Sequence, residues 1–397
     1  MLFKDFMLSS IMSDETVYKR TLDLKTLLKN KSYFLFGPRN TGKSFLIKQT
    51  LDKDTKVINL LQSDVYLELL AEPHRIRERI DFKKDKLVVI DEIQKIPILL
   101  DEVHYMIEEY KIHFLLTGSS LRKLKSKNNN MLGGRARRAD LFPLTFDEIQ
   151  DFKIETYLRY GGLPFILRSQ EKDEDLSSYV FNFLNEEIKL EARIRKIDFF
   201  HRFLQSAAAF SSEIINYSNI ASDIGVSEIT IKSYYELLED SLVGFQLFPW
   251  RKGRTRKSIA SSKFYFFDTG VLHSILKSPK ILDTSSDVYG RTFEQFIAQE
   301  IRAYLSYRRL DYDFNFWRSL DKKEVDFVVN NEIAIEVKTA KKFKADQLSG
   351  LKQIGVEGNF KKRILVTFDP TSRTVDNIDC VSWKDFLIQL WDDKIIA

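Results

Sequence analysis

Residues 37 to 44 read Gly37-Pro38-Arg39-Asn40-Thr41-Gly42-Lys43-Ser44, a complete G-x-x-x-x-G-K-S pattern. This string constrains a fold strongly, because it works only between a strand and a helix. The flanks supply that setting: Tyr33-Phe34-Leu35-Phe36 is an apolar, strand-like run, and Phe45 to Thr50 a helix-like one. Glycines let the backbone curl with its N–H groups facing inward, where they cradle phosphates. Lys43 then reaches the β- and γ-phosphates, and the Ser44 hydroxyl ligates Mg²⁺.

A second motif stands at the expected distance. Leu87-Val88-Val89-Ile90 followed by Asp91-Glu92 reads as a strand buried on both faces with an acidic pair at its carboxyl end. Asp91 is expected to hold the Mg²⁺ shell and Glu92 to polarise the attacking water. A third strand, His113-Phe114-Leu115-Leu116, runs into Thr117-Gly118-Ser119-Ser120, which places Thr117 or Ser119 to sense the γ-phosphate. Lys56-Val57-Ile58-Asn59-Leu60 is a further short strand. Alternating strands and helices predict a parallel sheet covered by helices, and the three motifs in this order favour ATP hydrolysis over phosphate binding alone.

At 397 residues the chain exceeds one typical core and divides into several domains. Its net charge of +5 is slight for that length and does not by itself demand a nucleic-acid partner. The single cysteine, Cys380, leaves no internal disulfide and suits a reducing, cytoplasmic setting. Met1 to Met12 lacks the pattern of a secretory signal. No apolar run approaches the roughly 18 residues of a membrane span.

Downstream of the sheet, the basic stretch Leu132 to Arg138 follows a polar, Asn-rich segment. It is either a solvated loop or the source of an arginine finger, Arg135 or Arg138, directed at a neighbouring subunit's ATP. Residues 151 to 205 read as helical, interrupted by Gly161-Gly162-Leu163-Pro164. From Ser218 the pattern becomes helix, turn, helix, with Ser227 capping the second helix. Two strand-like runs follow, Phe245 to Trp250 and Lys263 to Phe267, flanking Arg251-Lys252-Gly253-Arg254-Thr255-Arg256-Lys257 with five basic residues in seven. That is a winged helix-turn-helix outline. DNA phosphates would meet Lys232, Arg251, Lys252, Arg254, Arg256 and Lys257. The alternative is an interdomain packing module, because Glu228, Glu236, Glu239 and Asp240 make the second helix acidic.

Near the C-terminus a hairpin is expected, with Asp326-Phe327-Val328-Val329 turning through Asn330-Asn331-Glu332 into Ile333 to Lys338. A three-residue turn sets Asp326 opposite Glu336, and Lys338 shares the face of Glu336. Glu294 lies within the apolar arc of a helix marked by Ile297, Ile301 and Leu305, as Glu300 nearly does. Glu294, Asp326 and Glu336 are the expected ligands of one or two Mg²⁺ ions that activate water against a phosphodiester, with Lys338 steadying the developing charge. The bland alternative is a hairpin with a surface Lys–Glu pair.

Taken in order, GPRNTGKS (37–44), VVIDEIQKIP (88–97), LLTGSS (115–120), LGGRARRADLFPLTFDE (132–148), YGGLP (160–164), YFFDTGVL (265–272), GRTFEQF, EVDFVV and AIEVK resemble a prokaryotic family. These are AAA-type ATPases whose P-loop domain is joined to a DUF4143 region. The resemblance implies an α/β multidomain fold. It comprises a P-loop, AAA+-like parallel sheet (1–150), a helical lid (151–205), a winged-helix region (206–284) and a C-terminal domain similar to PD-(D/E)XK nucleases (285–397). Asp326, Glu336 and Lys338 take the nuclease positions and Glu294 the helical acid. Related signal-transduction ATPases place a G-x-P element on the nucleotide, which Gly162-Leu163-Pro164 matches, so Pro164 is expected on adenine; the alternative is a plain turn. Arg20, a single arginine in the N-terminal arm, is a further candidate contact to the nucleotide. The expected function is ATP hydrolysis that controls a DNA-directed, nuclease-like domain, with ATP and Mg²⁺ as ligands, DNA as partner and a homo-oligomer as the finger's setting. The rival is a non-nucleolytic, ATP-gated DNA-binding or regulatory switch.

Overall fold

The computed structural model describes residues 17–125, 132–187, 197–251 and 261–396. Five strands form the first sheet: β1 (Ser32–Phe36), β2 (Lys56–Asn59), β3 (Leu87–Asp91), β4 (His113–Gly118) and β5 (Ala136–Asp140). Their order is β2-β3-β4-β1-β5 and every pairing is parallel. The near-continuous apolar runs of β1 and β4 are buried along their length, as a sheet covered on both faces requires. β5 was not expected: its exposed Arg137 and Arg138 read as loop, but an edge strand accommodates charge on its open side.

The second sheet has eight strands: β6 (Gly244–Pro249), β7 (Lys263–Phe266), β8 (Phe314–Arg318), β9 (Glu324–Val329), β10 (Ile333–Val337), β11 (Lys362–Thr367), β12 (Arg373–Val375) and β13 (Ile378–Ser382). They run β12-β13-β11-β10-β9-β8-β6-β7. β6 and β7 form an antiparallel ribbon, and β6 also pairs with β8 through Phe248–Asn315 and Pro249–Phe316. One sheet therefore crosses the boundary expected at residue 284.

β7 is a wall between two cores. Phe264 and Phe266 point into the core of the middle helices, whereas Tyr265 joins the C-terminal core; this is the period-two alternation of a strand. The C-terminal core also contains Tyr33 and Leu115 of the first sheet, Phe296 and Phe327, and Leu390 near the chain's end. The two sheets thus share apolar packing. The helix Asp287–Tyr307 runs through that shared core and is capped by the Ser286 side chain, which accepts from the Tyr289 N–H. Among the described residues no helix is long and apolar enough to cross a membrane.

Candidate functional site

The loop after β1 has the backbone shape its sequence demands. Gly42 stands at φ 95° and Asn40 at φ 61°, left-handed values that glycine and asparagine tolerate best. The Thr41 hydroxyl donates to the Pro38 carbonyl at 2.9 Å, fixing the curl from within. Lys43 is buried, and its ammonium donates to the carbonyls of Gly37 (2.7 Å) and Pro38 (3.1 Å). Burial lowers its pKa to about 8, against the opposing pull of Glu92 and Asp91.

The acidic pair meets this loop through a row of hydrogen bonds. The Ser44 hydroxyl donates to Asp91 Oδ2 at 3.3 Å, and the Thr117 hydroxyl donates to Asp91 Oδ1. The Glu92 N–H donates back to Thr117 Oγ1 at 3.0 Å. Glu92 adopts φ 64°, a left-handed geometry rare for a glutamate. Its carboxylate accepts from Ser119 Oγ at 3.1 Å and from the Gln94 amide. Gln94 also donates to Ser119 at 3.1 Å. Sequence reasoning named Asp91, Glu92, Thr117 and Ser119 but missed Gln94, although it sits two residues after Glu92 within VVIDEIQKIP.

The middle helices close over the loop. The ideal Cβ position at Gly42 lies 3.9 Å from Pro164 Cγ, so the G-x-P element stands against the P-loop. The Tyr179 hydroxyl donates to the Arg39 carbonyl at 3.2 Å. Behind Pro164, the buried Asp268 carboxylate accepts from the N–H groups of Gly162 (2.8 Å) and Val271 (3.0 Å). Burial raises its pKa to about 6, although those N–H donors favour the anion. YGGLP and YFFDTGVL thus meet face to face, and a side chain at Gly270 would strike the Tyr160 carbonyl at 2.1 Å. Asp268 carried no expected role, because an aspartate before a helix reads as an ordinary cap.

Arg20, Arg135 and Arg138 each have partners inside the chain. The Arg20 side chain is buried and donates to Glu148 (3.1 Å), Thr41 O (3.0 Å), Phe142 O (2.6 Å) and Tyr307 (3.2 Å), so it braces the loop from behind. Arg135 pairs with Glu108, and Arg138 chelates Asp140 at 2.8–3.0 Å.

In the C-terminal sheet the hairpin has the expected register. Val329 pairs with Ile333 and Phe327 with Ile335, which sets Asp326 opposite Glu336 across a turn of residues 330–332. Asn330 and Asn331 supply the turn's positive φ values of 50° and 58°. Asp326 Oδ2 accepts from the Val337 N–H at 2.8 Å, and Glu336 pairs with Lys338. A lysine from another strand enters this group of acids. The ammonium of Lys263, from β7, is paired with Glu324 and lies 3.0 Å from Glu294 Oε1 and 3.7 Å from Asp326 Oδ1. Tyr265, on the same face of β7, donates to Glu294 at 2.6 Å.

Among the described residues no three Asp, Glu, His or Cys side chains converge closely enough to hold a metal. Burial works against the Lys263 charge, but Glu294 and its neighbours hold its pKa well above the usual lysine range. Burial pushes the pKa values of Glu294 and Glu336 up. Glu336 Oε2 is buried with no hydrogen-bond partner. Glu300 lies apart from the cluster, accepting from the Phe146 N–H (2.9 Å) and the Trp391 indole (2.8 Å). Lys263 was missed because its partners lie 31 to 63 residues further along the chain.

The helices Tyr217–Ile224 and Glu228–Asp240 follow one another, with Gly225 at φ 84° in the turn between them. Lys232 stacks over the Tyr217 ring at 5.3 Å. The Asp240 carbonyl accepts from the Leu121 N–H at 2.7 Å, which docks the end of the second helix just beyond β4. Arg251 is exposed, while Lys252, Arg254, Arg256 and Lys257 lie outside the described residues.

Three stretches of the chain match known family models. An AAA domain model matches residues 29–150, a domain of unknown function (DUF8612) residues 151–281, and a domain of unknown function (DUF4143) residues 289–386. With the geometry above, the first match supports an AAA-type P-loop ATPase-like protein. Uncharacterized proteins of Mycobacterium tuberculosis and Mycobacterium bovis are each 26% identical over 302 residues, covering 74% of this chain. The match spans 66% of the length of those relatives. An uncharacterized protein of Haemophilus influenzae is 22% identical over 393 residues, covering 89% of this chain and 93% of its own. A chain in the structure of Drosophila ORC bound to AT-rich DNA and Cdc6 aligns over 64% of this chain and 88% of its own, at 9% identity and a TM-score of 0.22, too low to support an argument.

Proposed function

We propose that the chain is an ATP hydrolase whose nucleotide cycle governs a DNA-directed C-terminal region through the middle helices. The observation that carries this is the row Ser44–Asp91–Thr117–Glu92 beside the P-loop. Ser44 and Asp91 offer the hard oxygen donors that Mg²⁺ takes, and the bound ion would neutralise phosphate oxygens. The Gly37–Ser44 loop, Pro38 excepted, supplies backbone N–H groups to the phosphates, and Lys43 exchanges its carbonyl partners for the β- and γ-phosphates. Glu92 takes the proton of the attacking water. Thr117 keeps Asp91 and Glu92 in register, and Pro164 packs on adenine. In a homo-oligomer, Arg135 or Arg138 leaves its carboxylate and acts on a neighbour's nucleotide.

The test is phosphate release from Mg²⁺-ATP by the wild type and Glu92→Gln. Retained ATP binding with lost turnover is expected; undiminished turnover would remove Glu92 from the base role.

A second reading concerns the C-terminal cluster. Asp326, Glu336 and Lys338 on one face favour a metal-dependent nuclease, whereas Lys263 among the acids favours the non-nucleolytic, ATP-gated switch. Incubation with ATP, Mg²⁺ or Mn²⁺ and several DNA forms separates them, since cleavage abolished by Asp326→Ala supports the nuclease. DNA binding itself is assigned to the basic tip. Neutralising Arg254, Arg256 and Lys257 should shallow the salt slope by roughly one unit per lost phosphate contact; an unchanged salt titration would move the role elsewhere.

A further inference from the structure

Lys263 is 2% exposed, yet it comes from the β6–β7 ribbon and not from the hairpin that carries the acids. Its ammonium gathers Glu294 from the long helix with Glu324 and Asp326 from β9, at 3.0 Å and 3.7 Å for the first and last. Removing this side chain would leave carboxylates from two elements around one point. The buried, unpartnered Glu336 Oε2 is a further oxygen whose bonding is unmet. An open cleft of about 540 Å³ reaches Lys263, Glu294, Glu324 and Lys338, so a hydrated ion has a route in.

We propose that Lys263 is a tethered cation holding the place of a divalent ion, and that the cluster becomes a divalent-cation site when the lysine is withdrawn or replaced. Chemistry supports the exchange. All the acceptors are carboxylate oxygens, the ligand type that suits Mg²⁺ and Mn²⁺. The ammonium satisfies them at hydrogen-bond distance, whereas a small divalent ion needs a shell at about 2.0–2.2 Å. Once the lysine leaves, the Glu294 oxygen must therefore move in by roughly 1 Å and the Asp326 oxygen by roughly 1.5 Å. That difference accounts for a cluster that gathers around a cation without presenting three metal ligands as it stands.

The test uses the full chain without nucleotide, so it is independent of the P-loop reading. Mn²⁺ is titrated into wild type and Lys263→Met, and the free ion is followed by its electron paramagnetic resonance signal. Wild type should show no binding that depends on Asp326. Lys263→Met should gain a site tighter than about 1 mM, lost again in Lys263→Met/Asp326→Asn. The proposal is overturned if folded Lys263→Met gains no site, or if wild type binds Mn²⁺ as tightly in an Asp326-dependent way. Should Lys263→Met unfold without metal, its melting is followed with added Mn²⁺. Rescue of folding that Asp326→Asn removes supports the proposal, and failure of any rescue overturns it.

Discussion

Two buried lysines organise the two halves of this molecule in opposite ways. Lys43 is 6% exposed and is held by neutral carbonyls; Lys263 is 2% exposed and is held by carboxylates. Burial lowers the pKa of the first to about 8, while the second is kept well above its usual value despite its deeper burial. The difference lies in the partners. Carbonyl dipoles support an ammonium weakly and give way to an arriving phosphate. Carboxylates neutralise the charge, and removing either partner strands the other in a medium of low dielectric. A buried lysine awaiting an anion is therefore marked by a loosely compensated charge, and a structural one by full compensation.

The sharpest break of this comparison is functional. Glu92→Gln should lower ATP turnover by about 10²–10⁴-fold, the usual contribution of a general base, with nucleotide binding retained in a fluorescent-nucleotide titration. Lys43→Ala should instead weaken binding by roughly 10- to 100-fold, as the loss of charged hydrogen bonds at about 1.5–3 kcal/mol implies. Stability should divide the lysines the other way. Lys263→Ala is expected to cost about 3–5 kcal/mol in urea unfolding, and Glu294→Gln in the same chain should recover part of it. Lys43→Met should stay within about 1 kcal/mol of wild type. Equal losses for both lysines would remove the distinction.

Glu300 adds the case of a buried carboxylate held by two neutral donors. Burial raises its pKa to about 8, against an ordinary 4.5. Between those values the native chain holds a proton that the unfolded chain releases, so the group's contribution to stability falls as pH rises. That contribution is complete below about pH 4.5 and lost through about pH 8, with a slope of up to ~1.4 kcal/mol per pH unit. Glu300→Gln should flatten that slope in urea midpoints measured from pH 5 to 9. The smallest effect belongs to Asp268→Ala, which removes a helix cap. It should cost about 0.5–2 kcal/mol and lower ATP turnover severalfold through the freed Gly162 N–H; turnover at wild-type level would detach Asp268 from the nucleotide site.

The P-loop was legible because its chemistry is contiguous: eight residues in a row carry both the backbone shape and the charge. Asp91, Glu92 and Thr117 were legible because strand ends in a parallel sheet converge. The Asp326–Glu336 register followed from counting a three-residue turn. Gln94 and Lys263 were not, for different reasons. Gln94 required knowing that Glu92 turns left-handed and brings the two side chains together. Lys263 required knowing that β6 joins β8, a pairing across more than 60 residues that no local pattern encodes. β5 escaped because an edge strand can be as polar as a loop.

The alternation of β7 also constrains how this chain can change. Odd positions, Lys263 and Tyr265, serve the acid cluster; even positions, Phe264 and Phe266, serve the middle helices, and Asp268 meets Gly162 just past the strand's end. A substitution alters one neighbour at a time. An inserted or deleted residue inverts the parity beyond it and exchanges the neighbours of the two cores at once. Length changes should therefore accumulate in the connections outside β7, while the strand keeps its residue count. Grafting the ribbon onto another chain should succeed only when whole two-residue steps are preserved.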